Sequence, residues 1–237
     1  MVESLIKYAK ENNIILKVNE KDGYGECSLM YAIKNNKIEI VEILMKYAQE
    51  NNIIFELNDK NENNDYPLLF ATEKCDIEMV KLIMRYADDN KIILKVNEKN
   101  NDGKYPLLCS IKNKNNNIFE LLMKYANNNN IYLELNEENK YRKSPILIAF
   151  ENNDYKKAEL LMNYSSIEDI KLNLNGGNNK IYPLLVASKY NNYEMTNLLI
   201  NYANEAGIIL EFSSYYGKNG ALWCDPYYMH IIIITLK

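Results

Sequence analysis

The chain has 237 residues, a net charge of −4 at pH 7 and 47% hydrophobic residues. This hydrophobic fraction is large enough for a sizeable core, so the composition excludes an intrinsically disordered chain. The acidic balance argues against nucleic-acid binding, which depends largely on neutralised phosphates. A single His and four Cys leave few metal ligands, whereas 38 Asn and 20 Tyr stand against only 8 Gly.

The chain shows no targeting signal and no membrane segment. MVESLIKYAK contains Glu3 and lacks the apolar run of a signal peptide, and the longest apolar run, residues 231–234, is far below the roughly 20 residues of a membrane helix. Four cysteines form neither a CxxC pair nor a zinc spacing, at Cys27, Cys75, Cys109 and Cys224. We therefore expect an intracellular, cytoplasmic protein with free thiols, no metal and no cofactor.

An internal repeat of about 39 residues runs through most of the chain. Asparagines recur every 39 residues, at Asn19, Asn58, Asn97, Asn136 and Asn175. Tyrosines recur at intervals of 39 and finally 38 residues, at Tyr8, Tyr47, Tyr86, Tyr125, Tyr164 and Tyr202. Prolines follow the same period, at Pro67, Pro106, Pro145 and Pro183. A fixed period of this length predicts a repeat array that stacks to bury a continuous core.

The array is predicted to span residues 1–212. It opens on half a repeat (1–19), which contains only a second helix, and continues with repeats at about 20–58, 59–97, 98–136, 137–175 and 176–212. Residues 213–237 depart from the pattern and contain the lone His and Trp. A degenerate cap or ill-formed tail is favoured there over a binding peptide, since termini are often poorly ordered.

Each repeat is predicted to hold a short helix, a tight turn, a second helix, an extended arm and a polar tip. In the repeat at 59–97, Pro67 opens the first helix, because Pro is favoured at the first helical position. The second helix, IEMVKLIMRYA (77–87), carries apolar residues at helical spacing. In the arm, Ile92, Leu94 and Val96 alternate with their neighbours, which predicts a strand-like segment with one buried face.

These strings resemble the ankyrin repeat, whose first helix begins with T-P-L-H-x-A. The matching strings are YPLLFA (66–71), YPLLCS (105–110), SPILIA (144–149) and YPLLVA (182–187). The second helices resemble that family's I/V-V-x-x-L-L-x-x-G-A, and the periodic Asn corresponds to the Asn of its D-V-N. The resemblance implies an all-α, mainly helical repeat solenoid of helix-turn-helix units with extended β-like arms or hairpin loops.

The chain departs from the ankyrin pattern in three ways. Its repeat is six residues longer, and Tyr replaces the family's Gly after the second helix. Tyr66, Tyr105 and Tyr182 replace the Thr that would cap the first helix, and only Ser144 keeps a capping hydroxyl. A lost cap costs about 1 kcal/mol, so we expect other packing to compensate. A tetratricopeptide-type solenoid is the runner-up fold, but it would have a longer first helix and no arm.

The candidate binding residues come from the concave surface that the resemblance implies. The position after the YPLL string is apolar but varies between repeats, as Tyr31, Phe70, Cys109, Ile148 and Val186. A charged rim accompanies it, at Lys34, Glu73, Lys74, Lys112, Glu151 and Lys189. An exposed apolar stripe would mark an interaction site, whereas packing against the next first helix is an equally favoured alternative.

The sequence predicts a non-enzymatic scaffold or adaptor that binds a protein or peptide. The alternative is a fragment of a larger protein in which the array is only a structural or targeting segment. An enzyme with its site near His230 is least favoured, because no nucleophile or phosphate-binding loop accompanies that residue. RNA binding by a helical repeat conflicts with the acidic charge.

Overall fold

The computed structural model describes residues 2–112, 117–176 and 181–211. Within these ranges the chain forms eleven α-helices and no strand. Helix α1 (Val2–Glu11) is followed by short first helices and longer second helices in alternation. The first helices are α2 (Ser28–Lys34), α4 (Pro67–Lys74), α6 (Pro106–Lys112), α8 (Pro145–Glu151) and α10 (Pro183–Lys189). The second helices are α3 (Ile38–Glu50), α5 (Ile77–Asp89), α7 (Asn117–Asn128), α9 (Tyr155–Ile167) and α11 (Tyr193–Ala206).

The chain divides into an N-terminal unit, residues 1–133, and a C-terminal unit, residues 134–237. In the N-terminal unit, α2, α4 and α6 pack in succession in one layer, and α1, α3, α5 and α7 pack in succession in another. In the C-terminal unit, α8 packs against α10 and α9 against α11. Each unit is therefore a stack of helix pairs, which confirms the predicted all-helical repeat solenoid. The predicted tail at 213–237 lies outside the described residues.

Helix boundaries follow the sequence signals closely. Four first helices begin at the predicted Pro residues. Tyr66 and Tyr182 occupy N-cap positions without a side-chain cap, whereas Ser144 Oγ accepts the Leu147 N–H at 3.5 Å. The Tyr66 hydroxyl instead donates to the Glu98 carbonyl at 2.8 Å in the next repeat. The lost cap is thus accompanied by a bond between neighbouring repeats.

Part of the extra length of the repeat lies in the second helix, which runs two residues beyond the predicted end at Ala87 in α5. Beyond the helix, an Asn side chain donates back to the carbonyl of the periodic Tyr four residues earlier, as Asn90 does to Tyr86 at 2.8 Å. The same bond is made by Asn12, Asn51 and Asn129. These bonds satisfy carbonyls that a helix C-terminus leaves without partners.

The arms keep the predicted alternation of burial but do not pair as strands. Phe55 and Leu57 are buried, while Ile54 and Glu56 between them are exposed. The arm N–H donates instead to the hydroxyl of the periodic Tyr in the next repeat. Donor and acceptor are Leu16 N and Tyr47 Oη (2.8 Å), Phe55 N and Tyr86 Oη (3.2 Å), Leu94 N and Tyr125 Oη (2.9 Å), and Leu172 N and Tyr202 Oη (3.1 Å). The Tyr that replaces Gly therefore supplies a backbone partner.

The periodic Asn forms a second link between neighbouring arms. Its Nδ2 donates to a carbonyl of the next arm, from Asn19 to Ile54 (2.8 Å), Asn58 to Ile93 (2.8 Å), Asn97 to Tyr132 (2.7 Å), Asn136 to Lys171 (2.8 Å) and Asn175 to Ile209 (2.8 Å). Asn58 Oδ1 also accepts the Lys95 N–H at 2.9 Å. Because an amide side chain both donates and accepts, it replaces the paired backbone bonds of a sheet.

Backbone with positive φ accounts for many further Asn residues. Among the described residues, eleven non-glycine residues and three glycines have positive φ, and all fall at three turns of the repeat. These turns follow the second helix (Asn13, Asn52, Lys91, Asn130, Asp169, Gly207), follow the first helix (Asn36, Cys75, Asn153, Asn191) or close the tip (Gly25, Asn64, Gly103, Arg142). Asn tolerates this left-handed conformation better than most residues, which explains its enrichment.

We expect Tyr125→Phe to lower the free energy of unfolding by about 1–3 kcal/mol, because it leaves the buried Leu94 N–H without a partner. Tyr8 has the same repeat position but is 58% exposed, so Tyr8→Phe should change stability by less than about 0.5 kcal/mol. Urea unfolding followed by circular dichroism measures both values. Equal losses in the two variants would contradict the role assigned to the hydroxyl.

Lys91 adopts φ 57°, a conformation that costs a non-glycine residue about 1–2 kcal/mol. Because Gly avoids this cost but loses more chain entropy on folding, Lys91→Gly should raise stability by about 0.5–1 kcal/mol. Lys46 lies inside α3, where the same substitution should lower stability by about 1 kcal/mol. Thermal melts of both variants test the difference in sign.

Candidate functional site

Each described tip is closed around a polar side chain that the sequence analysis missed. Asn61 Oδ1 accepts the N–H groups of Asn63 (3.0 Å) and Asp65 (2.8 Å), and the Asn61 N–H donates to the Asp65 carbonyl at 2.9 Å. Asp22, Asn100 and Asn139 make the same turn. Such Asx turns fix loop geometry. The 39-residue spacing of these four residues is the signal that could have revealed them.

Neighbouring tips in the N-terminal unit are linked to one another. Asn61 Nδ2 donates to Glu26 Oε1 at 2.8 Å, and Asn100 Nδ2 donates to Asp65 Oδ1 at 2.7 Å. The Glu62 N–H also reaches the carbonyl of Tyr24 at 3.0 Å. The tips of this unit therefore form a hydrogen-bonded row rather than separate loops.

The predicted apolar stripe is largely buried. Tyr31 is 41% exposed, whereas Phe70 and Cys109 in the N-terminal unit and Ile148 and Val186 in the C-terminal unit are each 5% exposed or less. First helices pack directly against each other within each unit, which shields this position. The expectation of a continuous exposed stripe is therefore wrong for these four residues, and packing describes them. Their contribution to binding stays a prediction.

The predicted charged rim is tied to the tips by ion pairs. Lys34 Nζ lies 2.8 Å from Oε1 of Glu26, which is only 3% exposed. Glu73 pairs with Lys104 of the next repeat. In the C-terminal unit, Glu151 pairs with Lys143 at 2.7 Å. Because exposed pairs contribute only about 0–1 kcal/mol, these pairs matter mainly for holding the charges in place.

Tyr31 joins the first tip to the first helix. Its hydroxyl donates to Asp22 Oδ2 at 2.6 Å, and this bond raises the pKa of Tyr31 to about 12 and lowers the pKa of Asp22. Lys34 Nζ lies 5.9 Å from the centre of the Tyr31 ring and 5.6 Å from that of Phe70, within cation–π range. Tyr31, Lys34 and the tip carboxylates thus form one ordered polar cluster.

The remaining rim residues are exposed lysines. Lys74 and Lys112 lie at the ends of α4 and α6. Lys189, in the C-terminal unit, places its Nζ 5.7 Å from the centre of the Tyr190 ring. The rim therefore combines held charges with projecting ones.

The described residues offer little chemistry for catalysis. Cys27, Cys75 and Cys109 are free thiols, and burial raises the pKa of the Cys109 thiol to about 12, which keeps it protonated. Across residues 2–112, 117–176 and 181–211, no group of three or more His, Cys, Asp or Glu is placed to hold a metal. No helix in these ranges has the length and apolar character needed to cross a bilayer. His230 lies outside them.

The geometry defines an ankyrin-like repeat fold, and comparison with solved structures agrees. The ankyrin repeat domain from Acinetobacter baumannii AYE matches with a TM-score of 0.64 and 17% sequence identity, over 85% of this chain and 94% of that one. No family model matches the chain, and no curated protein matches it. The structural likeness shows the fold.

Cys109 should resist alkylation in the folded protein. Its pKa of about 12, against an ordinary value of 9.0, lowers the thiolate fraction at pH 8 roughly a thousandfold. Cys75 is exposed and should react readily. Timed treatment with N-ethylmaleimide and peptide mass spectrometry would compare the two, and the difference should vanish in urea. Rapid modification of folded Cys109 would contradict its burial.

Proposed function

We propose that the chain is a non-enzymatic protein-interaction module. In the N-terminal unit, its contact surface is the tip face, which we define as the tips together with Tyr31, Lys34, Glu73, Lys74 and Lys112. In the C-terminal unit, Glu151 and Lys189 occupy the corresponding positions. The partner is a protein or peptide with a mixed pattern of charges.

One observation carries this proposal: the frame of the repeat is constant while the charges on it change. The position of Glu26 is occupied in later repeats by Asp65, Lys104 and Lys143. The Asx turn beside it is the same in all four repeats. A fixed frame with charges of varying sign favours specific recognition, because charge patterns select partners more than they add affinity.

The ordering of the tip face also favours binding. Lys34 is held by Glu26, Glu73 by Lys104, and Tyr31 by Asp22. Side chains that are already ordered lose less conformational entropy when a partner binds. The buried Phe70 and Cys109 support this surface from below, so they contribute stability rather than contact area.

Site-specific photo-crosslinking tests the tip face. A photoreactive residue in place of Tyr31 or Lys74 should capture the partner from native cell extract. The same residue at Lys46 or Lys81, on the exposed sides of α3 and α5, should capture much less. Equal capture from both pairs of positions would contradict the proposed surface.

A charge reversal then measures the contribution of one contact. Lys74→Glu should weaken binding of the captured partner about five- to tenfold without moving the melting temperature, because Lys74 is exposed. Phe70→Asp is unsuitable for this purpose, since Phe70 is buried and its replacement would unfold the repeat. A fall in melting temperature for Lys74→Glu would indicate a structural role instead.

A further inference from the structure

The arms of the N-terminal unit expose large apolar side chains at one repeat position. Ile15 is 66% exposed, Ile54 52%, Ile93 58% and Tyr132 66%. Single exposed apolar residues are ordinary, but four at the same position of successive repeats mark an interaction surface. We call these four residues the arm ridge. It is separate from the residues of the tip face and does not depend on the function proposed for them.

The arm ridge is held rigidly by the links between repeats. The carbonyls of Ile54, Ile93 and Tyr132 each accept a bond from the periodic Asn of the preceding repeat. The N–H of the residue after Ile54, and that of the residue after Ile93, donates to a Tyr hydroxyl. Because the backbone is fixed on both sides, these side chains cannot turn inward. The fold keeps them exposed despite the cost of hydrating them.

Charges of alternating sign accompany the arm ridge. Two residues after each ridge residue, on the same side of the arm, stand the exposed Lys17, Glu56 and Lys95. Lys17 pairs with Glu20. Within the described part of the chain, neither Glu56 nor Lys95 forms an ion pair. An apolar row and a row of alternating charges thus lie side by side.

We propose that the arm ridge joins two copies of this chain in an antiparallel dimer. A two-fold axis parallel to the arms, between those of Ile54 and Ile93, places Ile54 opposite Ile93 of the second copy. The same rotation places Glu56 opposite Lys95 of the second copy, and Lys95 opposite its Glu56. Apolar side chains meet apolar ones and each charge meets its opposite. The surface is therefore complementary to itself, as a two-fold interface requires.

The expected dimer is weak. A stable interface buries about 800 Å² on each partner, and four side chains with their neighbouring charges supply less than that. We expect a dissociation constant on the order of 10–100 μM, so the dimer forms only at high concentration. The full chain should pass from monomer to dimer in sedimentation equilibrium between about 5 and 500 μM. A monomer at every concentration would overturn the proposal.

The apolar contact is tested by Ile54→Ser and Ile93→Ser. Each should weaken the dimer at least tenfold, because each removes two symmetric contacts. Ile167 is 77% exposed on α9, away from the arms, so Ile167→Ser is the matched control and should leave dimerisation unchanged. All three variants should keep the circular dichroism spectrum of the parent chain. Equal weakening by the control would overturn the assignment to the arm ridge.

A charge exchange tests the antiparallel order. Glu56→Lys alone and Lys95→Glu alone should each weaken the dimer about tenfold, since each places like charges opposite one another. The double variant restores opposite charges at both positions, and its dissociation constant should return to within about threefold of the parent value. A general disturbance of the arm would not be rescued in this way. Failure of the double variant to recover dimerisation would refute the proposed pairing.

Discussion

The architecture depends on how the arms satisfy their backbone hydrogen bonds without forming a sheet. Leaving a buried N–H or carbonyl without a partner costs about 1–3 kcal/mol, and each repeat contains several such groups. A Tyr hydroxyl and an Asn amide from neighbouring repeats supply the partners. These bonds fix the spacing of the repeats and hold the tips and arms in place, so the exposed surfaces follow from them.

Much of the fold was predictable because periodicity reports directly on local structure. Pro67 and its equivalents mark helix starts, and alternating apolar residues mark the buried side of an arm. The period does not reveal what a side chain contacts. Tyr8 shares the period of the buried Tyr47 yet is exposed, and Phe70 is buried although its variability favoured a surface position equally. Burial at these positions depends on the adjoining helix, which a single repeat does not encode.

The candidate surfaces differ in how the sequence encodes them. At the tips, the turn residue recurs while charges such as Glu26 and Lys104 change sign, so variation was a useful guide. On the arms, Ile54 and Ile93 recur and resemble core residues in the sequence. Only their exposure distinguishes them from the buried Leu94 next in the chain. An apolar surface residue that repeats with the fold is therefore hard to recognise from the sequence.

The links made by Asn and Tyr have a consequence for how such a chain can change in evolution. Asn58 bonds to the following repeat and Tyr86 to the preceding one, so both act only between adjacent repeats. A duplicated segment of 39 residues would carry its own Asn, Tyr and helix-opening Pro, and would meet compatible partners on either side. Gain or loss of a whole segment then requires no compensating substitution elsewhere, whereas a change of a few residues is tolerated only in a loop such as the one shortened between Gly176 and Tyr182.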